Sequence, residues 1–259
     1  MKKIISLIAV LILTVSVFSL SACGDNKPAD SDSTTTAAQE KKSELSKPAE
    51  IAELPKTEEE QLELLNSVIE YFDVYCRRYT KEVKCTVSNL SVGALSSASN
   101  SYDAFKSIFG EKDLTVDYDY DSAPESFSAN IISSVFEKKD LSEISVKQEG
   151  QNILLTAKFP NESNPDSENG QLRKLSSDFV GAETVKKSLG EFSSSAGSVS
   201  VSASDIVLTA TVNSIDSSLQ KLTVSYDEHF ALGTVKLVQL DGSSVTGTSH
   251  TAETYSGMK

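Results

Sequence analysis

From residue 57 onward the chain alternates between two hydrophobic periods. Leu62, Leu65, Ile69, Phe72, Cys76 and Tyr79 recur at spacings of three and four, the repeat of one helix face. Thr57 followed by Glu58, Glu59 and Glu60 supplies a capping box ahead of that run, and Arg77, Arg78 and Lys81 at its far end suit the helix macrodipole. The spacing predicts a long helix over residues 57–79. Beyond it the period drops to two, with Val83, Cys85 and Val87 on one face of a first strand. Tyr102, Phe105 and Phe109, closed by Gly110, predict a short helix facing inward. Leu114, Val116, Tyr118 and Tyr120 then oppose Thr115, Asp117 and Asp119 in a second strand. Residues 145–148 and 152–159 form a hairpin about Glu149-Gly150. After a polar loop over 160–170, Leu172, Leu175 and Phe179, then Val185, Leu189 and Phe192, predict one interrupted helix or two short ones. Residues 193–198 read as a small-residue connector. Strands at 199–203, 206–212, 222–230, 234–240 and 244–255 close the chain, with Asp241-Gly242 as a hairpin turn. The fold class expected is α+β: a long N-terminal helix packed on an antiparallel, meander-type sheet, with short additional helices.

Ahead of this domain the pattern changes twice. Lys2 and Lys3 precede an apolar run over residues 4–20, which ends in Leu20-Ser21-Ala22-Cys23. A charged start, an apolar stretch and a small-residue cleavage site make a secretory signal peptide over residues 1–22. Ser6, Thr14, Ser16 and Ser19 interrupt the run, which is also short for a bilayer core. Leu-Ser-Ala-Cys looks like a bacterial lipobox, so the expected mature chain begins at a lipidated Cys23. Two acyl chains, at roughly 0.8 kcal/mol per buried methylene, hold a protein on a membrane where one is marginal. Residues 23–56 carry Lys-Pro-Ala twice, Ser-Asp-Ser-Thr-Thr-Thr and almost no large apolar residue before Ile51. Such a composition buries too little surface to offset its ordering entropy, and reads as a disordered tether. Residues 57–259 are then one globular domain on the extracytoplasmic face of the cell membrane.

Charge narrows the partners. The 259 residues carry a formal net charge of −13, and loss of Lys2 and Lys3 with the signal makes the mature chain more acidic still. An acidic surface repels nucleic acid and anionic headgroups, so the expected partners are the membrane, through the lipid on Cys23, and an unknown protein or envelope component. With Cys23 assigned to the lipid, Cys76 and Cys85 remain as a pair in a compartment that permits oxidation. Cys76 lies on the helix stripe and Cys85 on the inward face of the first strand. They are a disulfide candidate, the alternative being two buried thiols.

Ser133-Ser134, Asp140-Leu141, the hairpin over 144–159 with Pro160 and Pro165 after it, and the closing strands over 206–255 resemble a family of uncharacterised lipoproteins and secreted proteins of Gram-positive, clostridia-type bacteria. The likeness covers roughly the C-terminal half and the helix near residues 62–76. It implies a Gram-positive cell surface and brings no activity, cofactor or catalytic residue with it.

Few motifs carry chemistry. Asp117, Asp119 and Asp121 have the spacing that opens a calcium loop, but Ser122 and Ser128 stand where an EF-hand needs glycine and glutamate. They are retained as a weak metal candidate, with Glu125 in reach. Asp227-Glu228-His229 sets an imidazole beside carboxylates, yet neighbours in a strand alternate faces, and a solvated surface strand is expected. Ser218 and Lys221 fit S-x-x-K without its companion motifs. No metal-protease, nucleotide or dinucleotide pattern is present, and no cofactor is expected. The sequence points to a non-catalytic binding or structural module. The first alternative is a carrier for an apolar or lipid-like ligand between helix and sheet, and the second an envelope enzyme without a known motif.

Overall fold

The computed structural model describes residues 53–97, 100–121, 135–167, 170–191, 194–237, 240–241 and 244–259. Cys23 and almost all of the expected tether lie outside them. Helix α1 (Glu58–Glu70) starts as its sequence dictates. The Glu60 amide donates to Thr57 Oγ1 at 3.2 Å, while Glu60 Oε2 accepts from the Thr57 amide at 3.0 Å. Leu64, Leu65, Val68 and Ile69 are buried. At roughly 1.5 to 3 kcal/mol per buried side chain of this size, these four hold an otherwise polar helix on the domain.

The helix ends earlier than its stripe suggests. It widens into a π turn over Tyr71–Tyr75, closed by the Cys76 amide donating to Tyr71 O at 3.0 Å, and the chain is extended from Cys76 on. The amides of Arg77 and Arg78 donate to Lys259 O at 2.8 and 3.1 Å, so the last residue of the chain pins the junction. Tyr79 therefore belongs to strand β1 (Arg78–Ser91), where the alternation of Tyr79, Lys81, Val83, Cys85 and Val87 takes over.

Helix α2 (Ser101–Ile108) ends at Gly110, whose φ of +86° suits glycine and not a residue with a side chain. Phe105, Ile108 and Phe109 are buried, and Tyr102, expected inward, is exposed. The remaining elements are β2 (Lys112–Asp119), β3 (Glu143–Glu149), β4 (Asn152–Lys158), α3 (Gln171–Leu175), α4 (Ala182–Glu191), β5 (Ser194–Asn213), β6 (Leu219–Leu237), β7 (Leu240–Asp241) and β8 (Val245–Ser256). Leu114, in the edge strand β2, and Tyr120 just after it are exposed.

The sheet is antiparallel throughout, in the order β2-β1-β8-β6-β5-β4-β3, with β7 beside β6. The closing strands β5, β6 and β8 lie side by side as expected of the meander, although the expected strands 222–230 and 234–240 are largely one, β6, and the β3–β4 hairpin continues the sheet beyond β5. The β1–β2 pair joins it at the far edge of β8. Two expected strands, 199–203 and 206–212, are one, and the small-residue connector over 193–198 runs into its start at Ser194. A bulge between Ser204 and Val207, with Asp205 at φ 52°, changes which residues face inward: Val201 and Ala203 before it, Ile206 and Leu208 after it. Thr234, at φ 42°, marks a similar change in β6, where Leu232 and then Val235 are buried.

One face of the sheet is covered in two halves. Leu65, Val68 and Ile69 of α1 share a core with Leu155, Leu208 and Val224, while Phe105 of α2, Phe109 at its C-cap, and Val185 and Leu189 of α4 share a second with Val201 and Phe230. Phe109 stacks on Phe230 with ring centroids 4.3 Å apart. Gly247 makes room for this stack, since a Cβ there would lie 2.8 Å from the Phe109 ring. The expected single covering helix is thus a helix of 13 residues, extended by a π turn of five, over one half of the sheet only.

Candidate functional site

Where the two cores meet, the inward positions of the central strands turn polar. In β1 this is Lys81, in β8 Ser249, Thr251 and Glu253, and in β6 Tyr226 and Glu228, all buried. The register brings them together: Val83 pairs with Glu253 and Glu253 with Val224, while Ser249 pairs with Glu228. Residues 176–181, the link from α3 to α4, lie on this strip. Asp178 Oδ1 meets Lys112 Nζ at 2.5 Å, and Asp178 Oδ2 meets Lys81 Nζ. Lys81 Nζ also lies 3.1 Å from Glu253 Oε2 and 5.3 Å from the centre of the Tyr255 ring. Ser176 Oγ donates to Glu253 Oε1, which accepts from Tyr226 OH at 3.3 Å, and Tyr255 OH donates to Glu253 Oε2 at 2.8 Å. The Val180 amide donates to both Glu228 oxygens, at 2.9 and 3.0 Å.

Burial and pairing set the charge states. Burial pushes the Glu228 carboxyl up to about 8, the Val180 amide opposing it, so the group is mostly neutral at pH 7. Ser249 Oγ, on the residue paired with Glu228, is buried and makes no hydrogen bond to another of the described residues. Burial acts against the charged forms of Lys81 and Asp178 too. Their mutual pairing, with Glu253 and Lys112, outweighs it, holding the Lys81 ammonium above its ordinary value and the Asp178 carboxyl below. Burial raises Tyr226 and Tyr255 well above the phenol range, so both remain hydrogen-bond donors.

No family model, curated protein or solved structure matches this chain.

The expected disulfide is not formed: Cys76 and Cys85 are free thiols. β1 runs extended from Arg78, so Cys85 lies about 23 Å along it at ~3.3 Å per residue, far outside the ~4.4 to 6.8 Å a bridge requires. Cys76 Sγ donates to Arg78 O at 3.2 Å, and Cys85 Sγ approaches Phe109 O at 3.9 Å. Burial raises both thiols, Cys76 to about 11.

The carboxylates of the weak metal candidate are each engaged by a separate partner. Asp117, Asp119 and Asp121 are turned to Thr80, Arg78 and Arg77: Thr80 Oγ1 donates to Asp117 at 2.6 Å, Arg78 Nε lies 3.1 Å from Asp119 and Arg77 Nη2 3.2 Å from Asp121. Among the described residues no group of three or more His, Cys, Asp or Glu is placed to hold a metal ion, and Glu125 lies outside them.

Asp227, Glu228 and His229 divide between faces as strand neighbours must. Glu228 is in the buried strip and not on a solvated strand. On the opposite face Asp227 Oδ1 is 2.6 Å from His250 Nδ1, and His229 Nε2 is 2.9 Å from Ser204 Oγ. Ser218 is tied to Asp216 and Gln220 at a turn, with no part in a Ser-Lys pair. Between α1 and the sheet, Leu65, Val68, Ile69, Leu155, Leu208 and Leu222 fill the layer without exposure. A groove at the rim, between Glu58, Leu62, Lys138 and Ile144, measures about 100 Å³. Small-ligand pockets run from ~300 Å³.

Proposed function

We propose that this chain is a lipid-anchored protein of the extracytoplasmic membrane face whose folded part is a non-catalytic binding or structural domain acting on an envelope component. The observation that carries the reading is Leu20-Ser21-Ala22-Cys23 at the end of the apolar run over residues 4–20. The folded domain supports its second half. Lys81, Lys112, Asp178 and Glu253 pair with one another beneath residues 176–181, an arrangement that holds the link on the sheet and fits a binding or structural role. The filled layer beneath α1 gives no support to carriage of an apolar ligand there. The test is membrane fractionation of cells expressing the full chain. The native chain partitions into detergent and is processed at Cys23, whereas Cys23→Ala stays unprocessed or is shed. Equal detergent partitioning and surface retention of both forms overturns the anchor. Crosslinking the anchored chain in intact cells then reads the envelope component it touches.

A further inference from the structure

Residues 176–181 have no helix or strand of their own and are held to the sheet by three sets of polar bonds, at Ser176, Asp178 and Val180. The central one resembles a bound ligand. Each oxygen of the Asp178 carboxylate meets a different lysine, and the two lysines come from different strands, Lys81 from β1 and Lys112 from β2. Two converging ammonium groups, one to each oxygen, also suit a free oxyanion. The Lys81 side chain is 3% exposed, whereas those of Asp178 and Lys112 are 21% and 32% exposed. The pair is therefore open to solvent on the side of the edge strand. If Asp178 withdraws, Lys81 keeps Glu253 but both lysines lose their shared carboxylate, and the positive charge left over admits an anion in its place.

We propose that Lys81 and Lys112 form an oxyanion-binding site filled in cis by Asp178, with residues 176–181 as a strap that a small carboxylate or phosphate displaces. The proposal goes beyond the anchoring reading and does not depend on it. Displacement exchanges one anion for another at the lysine pair, so both ammonium groups stay paired while the Asp178 carboxylate passes to solvent, and it frees the main chain between α3 and α4.

The test uses the full chain in detergent. Asp178→Ala lowers the melting temperature, and sodium acetate or inorganic phosphate restores part of the loss with a saturable concentration dependence. Sodium chloride at matched ionic strength does not. Which of the two anions restores more identifies the class of ligand. Adding Lys112→Ala to Asp178→Ala abolishes the recovery. Recovery no greater than in chloride, or undiminished without Lys112, overturns the site. Should Asp178→Ala fail to fold, Asp178→Asn is measured in the same way. In the native chain, hydrogen exchange of the amides over residues 176–181 quickens as phosphate is raised against a chloride control, and unchanged exchange overturns the strap.

Discussion

Replacing Glu228 with glutamine isolates the energetic consequence of a neutral acid in the polar strip. In the unfolded chain this carboxyl titrates near 4.5, and in the folded chain at about 8. Between those values the native state holds a proton that the unfolded state has lost, so stability falls as pH rises. The penalty is absent below about 4.5, grows through the window and is constant above about 8. At about 1.4 kcal/mol per pH unit the window corresponds to a loss of roughly 3 to 5 kcal/mol. Asp178 has the opposite sign: its lowered carboxyl contributes stability that is present above the ordinary value of 3.8 and is lost as pH falls through its folded value, below the Glu228 window. Glutamine keeps an oxygen for the Val180 amide and directs an N–H where the protonated oxygen was, with nothing to ionise. Urea unfolding of the native chain and of Glu228→Gln between pH 4.5 and 9 reads the difference at each pH. The expected difference is small at pH 4.5 and grows in favour of the variant to about pH 8, then levels. Groups titrating elsewhere cancel in the subtraction. A difference independent of pH refutes the placement of Glu228 as a buried neutral acid.

Two further outcomes follow from the same strip and from the thiols. Lys81→Met leaves Glu253 and Asp178 facing each other without their shared cation, and unfolding free energy falls by about 3 to 5 kcal/mol; adding Glu253→Gln returns part of that loss, and equal single and double losses in urea refute the pairing. Cys76 and Cys85 remain unreactive toward a thiol reagent at pH 8 in the folded chain and both react after unfolding without reductant. A mass two units lower, with no thiol titrated, restores the disulfide instead.

What the sequence determined by itself is whatever a local rule decides. Thr57 and Glu60 cap α1 because the partners lie three residues apart, and the 145–159 hairpin is legible because both strands and the glycine turn, with Gly150 at φ +64°, are contiguous. The extent of β8, Val245–Ser256, was legible as the strand expected over 244–255. Lys81 also left a legible trace, as a charged residue in the inward phase of an otherwise apolar strand, where the alternation alone marks a polar group that burial obliges to find a partner. Tertiary structure alone decided the rest. The stripe of α1 continues through Cys76 and Tyr79, but bonds from Arg77 and Arg78 to the last residue, Lys259, draw the chain into the sheet and move Cys76 away from Cys85. Bulges that change the inward phase of β5 hid one strand as two, since a period of two survives only while the ladder is regular. The insertion of β8 between β1 and β6 joins residues more than 150 positions apart. That pairing, together with the fold of residues 176–181 onto it, places Lys81, Lys112, Asp178, Glu228 and Glu253 around one another, because charges buried together must neutralise across the distances the sheet closes.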